Sequence, residues 1–326
     1  MIISRTPLRM SFTGGGSDLP AFYRQFGGAV VSTAIDKYVY VNVNPKFDHG
    51  IRIAYSKNEE VERVSDIEHR LVRAAMQMLE IDGGVEITTI ADIPSRGTGL
   101  GSSSSFTVGL LHALSAFKGV YVAAEKLGAD ACRIEIDLCG EPIGKQDQYA
   151  AAYGGFNMIE FRPDDKVVVT PIICAPETLT SIERDILVLY TGVTRSASPL
   201  LKQQSDVLAG SADKQRVMRR MVELTYQLRD ELQSNNTLAF GEILHENWML
   251  KREVTAGISN PEIDDWYGRA RGAGALGGKI LGAGAGGFLM FYAPRDSHRA
   301  IAAALPELRV IPMGFEPLGS RIIFYH

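Results

Sequence analysis

The stretch PSRGTGLGSSSS, Pro94 to Ser105, sets glycines and a run of serines directly ahead of FTVGLLHALSAF. The first part suits neither a helix interior nor a strand. The second carries Phe106, Leu110, Leu114 and Phe117 at helical spacing. A helix start leaves backbone N–H groups without partners and bears a partial positive charge. Glycines ahead of it let phosphate oxygens come close, because no Cβ intervenes. Gly99, Leu100, Gly101, Ser102, Ser103 and Ser104 therefore read as an anion cradle, whose serines offer caps, phosphate contacts or a metal ligand. A flexible loop with a serine cap is the blander alternative. The stretch matches neither GxxxxGK[ST] nor GxGxxG.

Further stretches hold residues of catalytic type. In PLRMSFTGGGSDLP, Arg9 and Asp18 flank the glycines that include Gly15 and Gly16. A cation and a carboxylate thus stand beside backbone that a ligand can approach, although Asp18 could equally cap a helix beginning near Pro20. KILGAGAGGF, Lys279 to Phe288, is either a tight strand connection or a third loop of this kind. GEPIGKQDQYAAAYGG places Asp147 between two glutamines, with Lys145 two residues away. Asp147 could be a base, a metal ligand or a surface residue, and Lys145 is a candidate to stabilise its charge.

These residues need elements to hold them. KYVYVNVNP alternates Val39, Val41 and Val43 against Tyr38, Tyr40 and Asn42, a strand pattern that IRIAYS and GVEITTIADIP continue. Leu71, Ala75, Met76 and Leu79 mark one helix, and Leu127, Ala131, Ile134 and Leu138 another. FNMIEF, KVVVTPII and DILVLYTG return to strand character, and residues 209–272 are largely helical. Strands and helices without regular βαβ alternation predict an α+β fold. A chain of 326 residues exceeds the usual single core, so two domains are expected, 1–180 and 181–326.

The composition excludes some functions. A net charge of -4 argues against nucleic-acid binding. No stretch reads as a signal peptide or a membrane span, and the odd count of 3 cysteines without a CxxC pair fits a reducing, cytoplasmic setting. No zinc motif is present, since LHENW is not HExxH. A homodimer stays open, because no exposed apolar stripe marks an interface.

In this order and spacing, the stretches from Pro7 to about Phe291 resemble the GHMP kinases (galactokinase, homoserine kinase, mevalonate kinase and phosphomevalonate kinase). PSRGTGLGSSSS is similar to the second motif of that family, PLRMSF…GGGSD to the first and KILGAGAGG to the third. The resemblance implies a ribosomal-protein-S5-like N-terminal domain, a ferredoxin-like C-terminal domain, and ATP and Mg²⁺ as cofactors. By the same resemblance, Ser102 and Glu135 would hold Mg²⁺, Asp147 would face the acceptor hydroxyl, and Arg9 would stabilise charge at the transferred phosphoryl. Asp18 would bind sugar hydroxyls, and Gly282, Ala283 and Gly284 would form the third loop against substrate and phosphates.

ADIPSRGTGLGSSSSFTVGLLHAL, GKQDQYAAAYGG, TGVTRSAS and ENWMLKR look closest to the heptose 7-phosphate kinase branch. That branch phosphorylates the anomeric oxygen of a heptose phosphate on the way to GDP-heptose. A small-molecule sugar phosphate would need cationic contacts, for which Arg195 and Lys145 are the candidates, with Lys202 and Arg96 behind them. Two departures stand out. GGGSD replaces the GEHTD of galactokinase, which leaves room for a bulkier sugar, and Ala285 stands where a glycine is common. Another sugar 1-kinase, for free heptose, fucose or mannose, and a non-catalytic sugar or nucleotide sensor are the competing readings. The joint presence of Glu135 and Asp147 speaks against the sensor.

Overall fold

The computed structural model describes residues 1–93, 97–194 and 196–326. The first half runs β1 (Ile2–Thr13), α1 (Pro20–Phe26), β2 (Gly28–Pro45), β3 (Ile51–Ala54), β4 (Asn58–Val61), α2 (Arg70–Met78) and β5 (Val85–Ala91). It continues through α3 (Ser102–Phe117), α4 (Ala124–Cys132), α5 (Gln146–Tyr153), β6 (Phe156–Phe161) and β7 (Val167–Pro171). The second half holds α6 (Pro176–Asp185), β8 (Ile186–Tyr190), α7 (Ser198–Gly210), α8 (Ala212–Gln233), α9 (Leu238–Val254) and α10 (Pro261–Gly272). It closes with β9 (Gly277–Ile280), β10 (Phe288–Tyr292), α11 (His298–Ala304), β11 (Arg309–Val310) and β12 (Arg321–Tyr325).

Two sheets organise these elements in the expected α+β manner. The larger has the order β12-β1-β2-β5-β3-β4, with β6 on β2 and β7 on β6; the smaller is β11-β8-β10-β9. Strand β2 serves two partners in succession, pairing β6 through its first residues and β5 from Val39 to Pro45. The division expected after residue 180 falls inside α6, and β12 brings the chain end back to β1. Strand β1 is buried on both faces, with Leu8, Met10 and Phe12 fully enclosed and Pro7 and Arg9 also inside. It carries no polar alternation, because α3 and α5 cover one side and α8 and α9 the other.

Two of these features set the site. Helix α3 opens at Gly101, whose φ of 77° lies in the left-handed region, so the helix is entered by a sharp turn. Helix α4 continues into a π-helical turn, Arg133–Leu138, that carries Glu135. Such wider turns redirect side chains and recur at functional sites.

Candidate active site

A cavity of about 560 Å³ opens where the three glycine-rich loops meet. Gly97 to Gly99 and the start of α3 form one wall, Gly282, Ala283 and Gly284 another, and Gly15, Gly16 and Asp18 the floor. The loops touch through backbone: a Cβ on Gly99 would stand 2.2 Å from the Leu281 carbonyl oxygen, and one on Gly282 2.4 Å from the Gly99 Cα. These glycines therefore serve loop-to-loop contact as well as access for a ligand.

The serines divide their work. The Ser102 hydroxyl lies 3.4 Å from that of Thr98, and both residues line the cavity. Ser103 and Ser104 donate to the two oxygens of Glu135 at 2.9 and 2.7 Å, and the Gln148 amide donates at 2.6 Å. Ser105 turns away and donates to the Pro7 carbonyl. None caps α3 through its side chain, so the serine-cap alternative does not describe this turn. Leu100 is buried outside the cavity wall, and its carbonyl accepts from the Arg9 backbone N–H.

Arg9 and Asp147 form the polar centre. The guanidinium donates Nε to Oδ1 at 2.8 Å and Nη2 to Oδ2 at 2.7 Å, while Nη1 donates to the Gly99 carbonyl at 2.7 Å. Such a fork fixes the plane of the carboxylate and ties it to the second glycine loop. Asp18 is buried and accepts from the Gly16 N–H at 3.0 Å and from the N–H and side-chain amide of Gln146 at 3.2 and 3.0 Å. Burial, and then the charge of Asp147, push its carboxyl above the usual range. Helix α1 starts after Leu19 with no side-chain cap, so Asp18 does not cap it.

Lys145 departs from expectation. Its ammonium pairs with Asp165 at 3.2 Å and stands over the Tyr23 ring, with no contact to Asp147. It occupies the N-cap position of α5, from which its side chain leaves on the side away from the cavity. Arg195 and Arg96 lie outside the described residues.

Family models for the GHMP kinase N-terminal and C-terminal domains match residues 69–155 and 228–309. The chain belongs to the GHMP kinase family. It is 27% identical, over 94% of both chains, to the D-glycero-alpha-D-manno-heptose 7-phosphate kinase of Campylobacter jejuni. It is 26% identical to the bifunctional fucokinase/GDP-fucose pyrophosphorylase of Arabidopsis thaliana, over 90% of this chain and 30% of that longer protein. Among solved structures, a D-glycero-D-manno-heptose 1-phosphate kinase from Bacteroides thetaiotaomicron superposes with a TM-score of 0.82, at 26% identity and full coverage of both chains. This GHMP kinase is thus an enzyme of phosphoryl transfer, and among the described residues no helix is long and apolar enough to cross a membrane.

Glu135 meets the demands of a divalent cation in this GHMP kinase. Its carboxylate is 1% exposed and held by neutral donors, with no basic side chain within ion-pair distance among the described residues. Burial raises its pKa, against those hydrogen bonds. A buried carboxylate beside a hydroxyl-lined cavity suits Mg²⁺, which takes one or two protein carboxylates and completes its shell with phosphates and water. Among the described residues no group of three or more His, Cys, Asp or Glu side chains forms an all-protein cage.

Two lysines absent from the expected site stand beside it. Lys251 of α9 lines the cavity and donates to the Gly15 carbonyl at 2.8 Å and to Gln204 at 3.2 Å. Lys279 of β9 reaches the Phe12 carbonyl at 3.3 Å. A signal existed for the first: Phe240, Leu244, Asn247, Lys251 and Val254 share the buried face of α9, so Lys251 interrupts an apolar period.

Proposed function

We propose that the enzyme transfers the γ-phosphoryl group of ATP to the anomeric hydroxyl of D-glycero-D-manno-heptose 7-phosphate, giving the 1,7-bisphosphate used for GDP-heptose. The observation that carries this reading is the Arg9–Asp147 fork, set between the start of α3 and the buried Asp18. Phosphoryl transfer depends on positioning and charge stabilisation far more than on covalent chemistry.

In this reading the N-terminus of α3 and the loop from Gly97 to Gly101 receive the nucleotide phosphates. Ser102 and Glu135 would hold Mg²⁺, which when bound offsets the charge of the phosphate oxygens. Asp18 accepts hydrogen bonds from sugar hydroxyls and so orients the ring. Asp147, its plane fixed by Arg9, accepts the proton of the anomeric hydroxyl as that oxygen attacks. An anomeric hydroxyl is more acidic than an ordinary alcohol, so a carboxylate is base enough. Arg9 stays beside the charge that develops on the transferring group. Cytoplasmic location follows from this role, because nucleotide and sugar phosphates are cytoplasmic.

The test is ADP release with Mg-ATP against heptose 7-phosphate, free heptose, mannose, fucose and galactose. The expected result is a specificity constant for the heptose phosphate at least about tenfold above every free sugar, a difference of about 1.4 kcal/mol in transition-state binding. Similarity to the fucokinase domain makes fucose the informative competitor, and a preference for any free sugar would contradict the 7-phosphate assignment.

A further inference from the structure

Arg9, Lys251 and Lys279 converge beneath the first glycine loop, yet only Arg9 has a carboxylate partner among the described ion pairs. Lys251 and Lys279 are 6% and 5% exposed, and their hydrogen bonds go to neutral oxygens. Asp18 attracts Lys251 without reaching ion-pair distance, since its own oxygens are engaged by Gly16 and Gln146. Beside Lys251, Gln204 is fully buried, and among the described residues its amide nitrogen has no hydrogen-bond partner. That nitrogen stands 2.2 Å from where a Cβ on Gly16 would lie, so it abuts the loop that floors the cavity.

A buried cation without an internal counter-charge costs several kcal/mol, and a buried amide without a partner costs more on top. Such a group persists where a ligand completes it. Resting on the sugar-kinase reading above, we propose that Lys251 receives the anionic substituent of the acceptor, a phosphate monoester, with the Gln204 amide beside it and Lys279 behind. Asp18 and Lys251 then read the two ends of one acceptor from opposite sides of the same loop, hydroxyls at the carboxylate and the anion at the ammonium. Burial pushes the Lys251 ammonium down to about 8, and burial with the charges of Lys251 and Arg9 pushes Lys279 down to about 7. An arriving dianion reverses both effects, so its binding draws protons onto the lysines.

The test is calorimetric titration, without nucleotide, of D-glycero-D-manno-heptose 7-phosphate and of the free heptose into wild type and Lys251→Met. Wild type is expected to prefer the phosphate form at least about 30-fold, and Lys251→Met to narrow that ratio below about threefold, the scale of one charge-assisted contact. A merely structural role would weaken both ligands together and leave the ratio intact. No preference in wild type, or a preference that survives in Lys251→Met, overturns the proposal. A second measurement uses wild type alone. At pH 8.5, in buffers of different ionisation enthalpy, the heptose phosphate should bind with uptake of up to about one proton and the free heptose with none. The charged groups that face Lys251 are Asp18 and Lys279, with Arg9 beyond Lys279 and Asp147 beyond Asp18. No uptake overturns the proposal even if Lys251→Met fails to fold. ADP release separates the two readings: a Lys251-dependent preference without turnover would keep this inference and sink the kinase reaction.

Discussion

At the residue scale, the proposed chemistry rests on how Asp147 is held. Both of its oxygens accept from one rigid guanidinium, so the carboxylate cannot rotate without breaking two short hydrogen bonds. Asp147→Asn keeps the shape and removes the proton acceptor. Turnover should fall by about 10²-fold or more with nucleotide binding unchanged, the usual worth of a positioned base. A loss under tenfold would reduce Asp147 to an orienter of the hydroxyl. Arg9, Asp18 and Asp147 stand out in the sequence and the family resemblance adds Glu135; the fold gathers the four around one cavity from β1, the first loop, the π turn and α5. Only proximity in the chain sets Lys145 beside Asp147. Residues two apart at a helix start point in different directions, and Lys145 pairs with Asp165. Lys279 has no signal like that of Lys251, because a four-residue strand is too short for one cation to interrupt a period.

At the element scale, the glycine loops are packing devices. Gly99 has a φ of 77°, and a Cβ there would strike the backbone of Leu281. Gly99→Ala should therefore cost at least about 2 kcal/mol of unfolding free energy, combining left-handed strain with a backbone clash. Ala285 gives the converse case. It holds a φ of 65° while its N–H donates to the Ile258 carbonyl, so Ala285→Gly should raise stability by about 1 kcal/mol in urea unfolding. Loss of stability in that variant would show that the methyl packs favourably enough to outweigh the strain. Helix α3 is legible from its apolar spacing, and the sharp turn ahead of it from its glycines. Strand β1 is not, because burial of both faces removes the alternation that marks a strand. Leu127, Ala131, Ile134 and Leu138 read as the face of one helix, whereas the wider π turn rotates that face and leaves Leu138 exposed.

At the scale of the whole molecule, the cavity lies where the two sheets and their helices meet. The larger sheet supplies Arg9 through β1, and the smaller supplies Lys279 through β9 and the third glycine loop between β9 and β10. Enclosing a cation at this junction links stability to pH. The unfolded chain keeps the Lys279 proton up to the ordinary lysine range, whereas the folded chain sheds it near pH 7. Between pH 7 and 10 the unfolded state thus binds more protons, and this group's contribution to stability grows as pH rises. Relative to Lys279→Met, wild type should gain about 3 to 4 kcal/mol across that window in urea midpoints. A constant difference would contradict a charge-sensitive junction. The α+β class is readable from the order of elements and the family from the order of motifs, whereas the return of β12 to β1 is not, because pairing across the whole chain leaves no local pattern. Which oxygen becomes phosphorylated is read directly by ³¹P–¹H correlation spectroscopy of the product made from heptose 7-phosphate and Mg-ATP. A new phosphorus signal coupled to the anomeric proton, with the 7-phosphate retained, is the predicted result. ADP formed with the new phosphorus on any other carbon, or with none on the sugar, would contradict it.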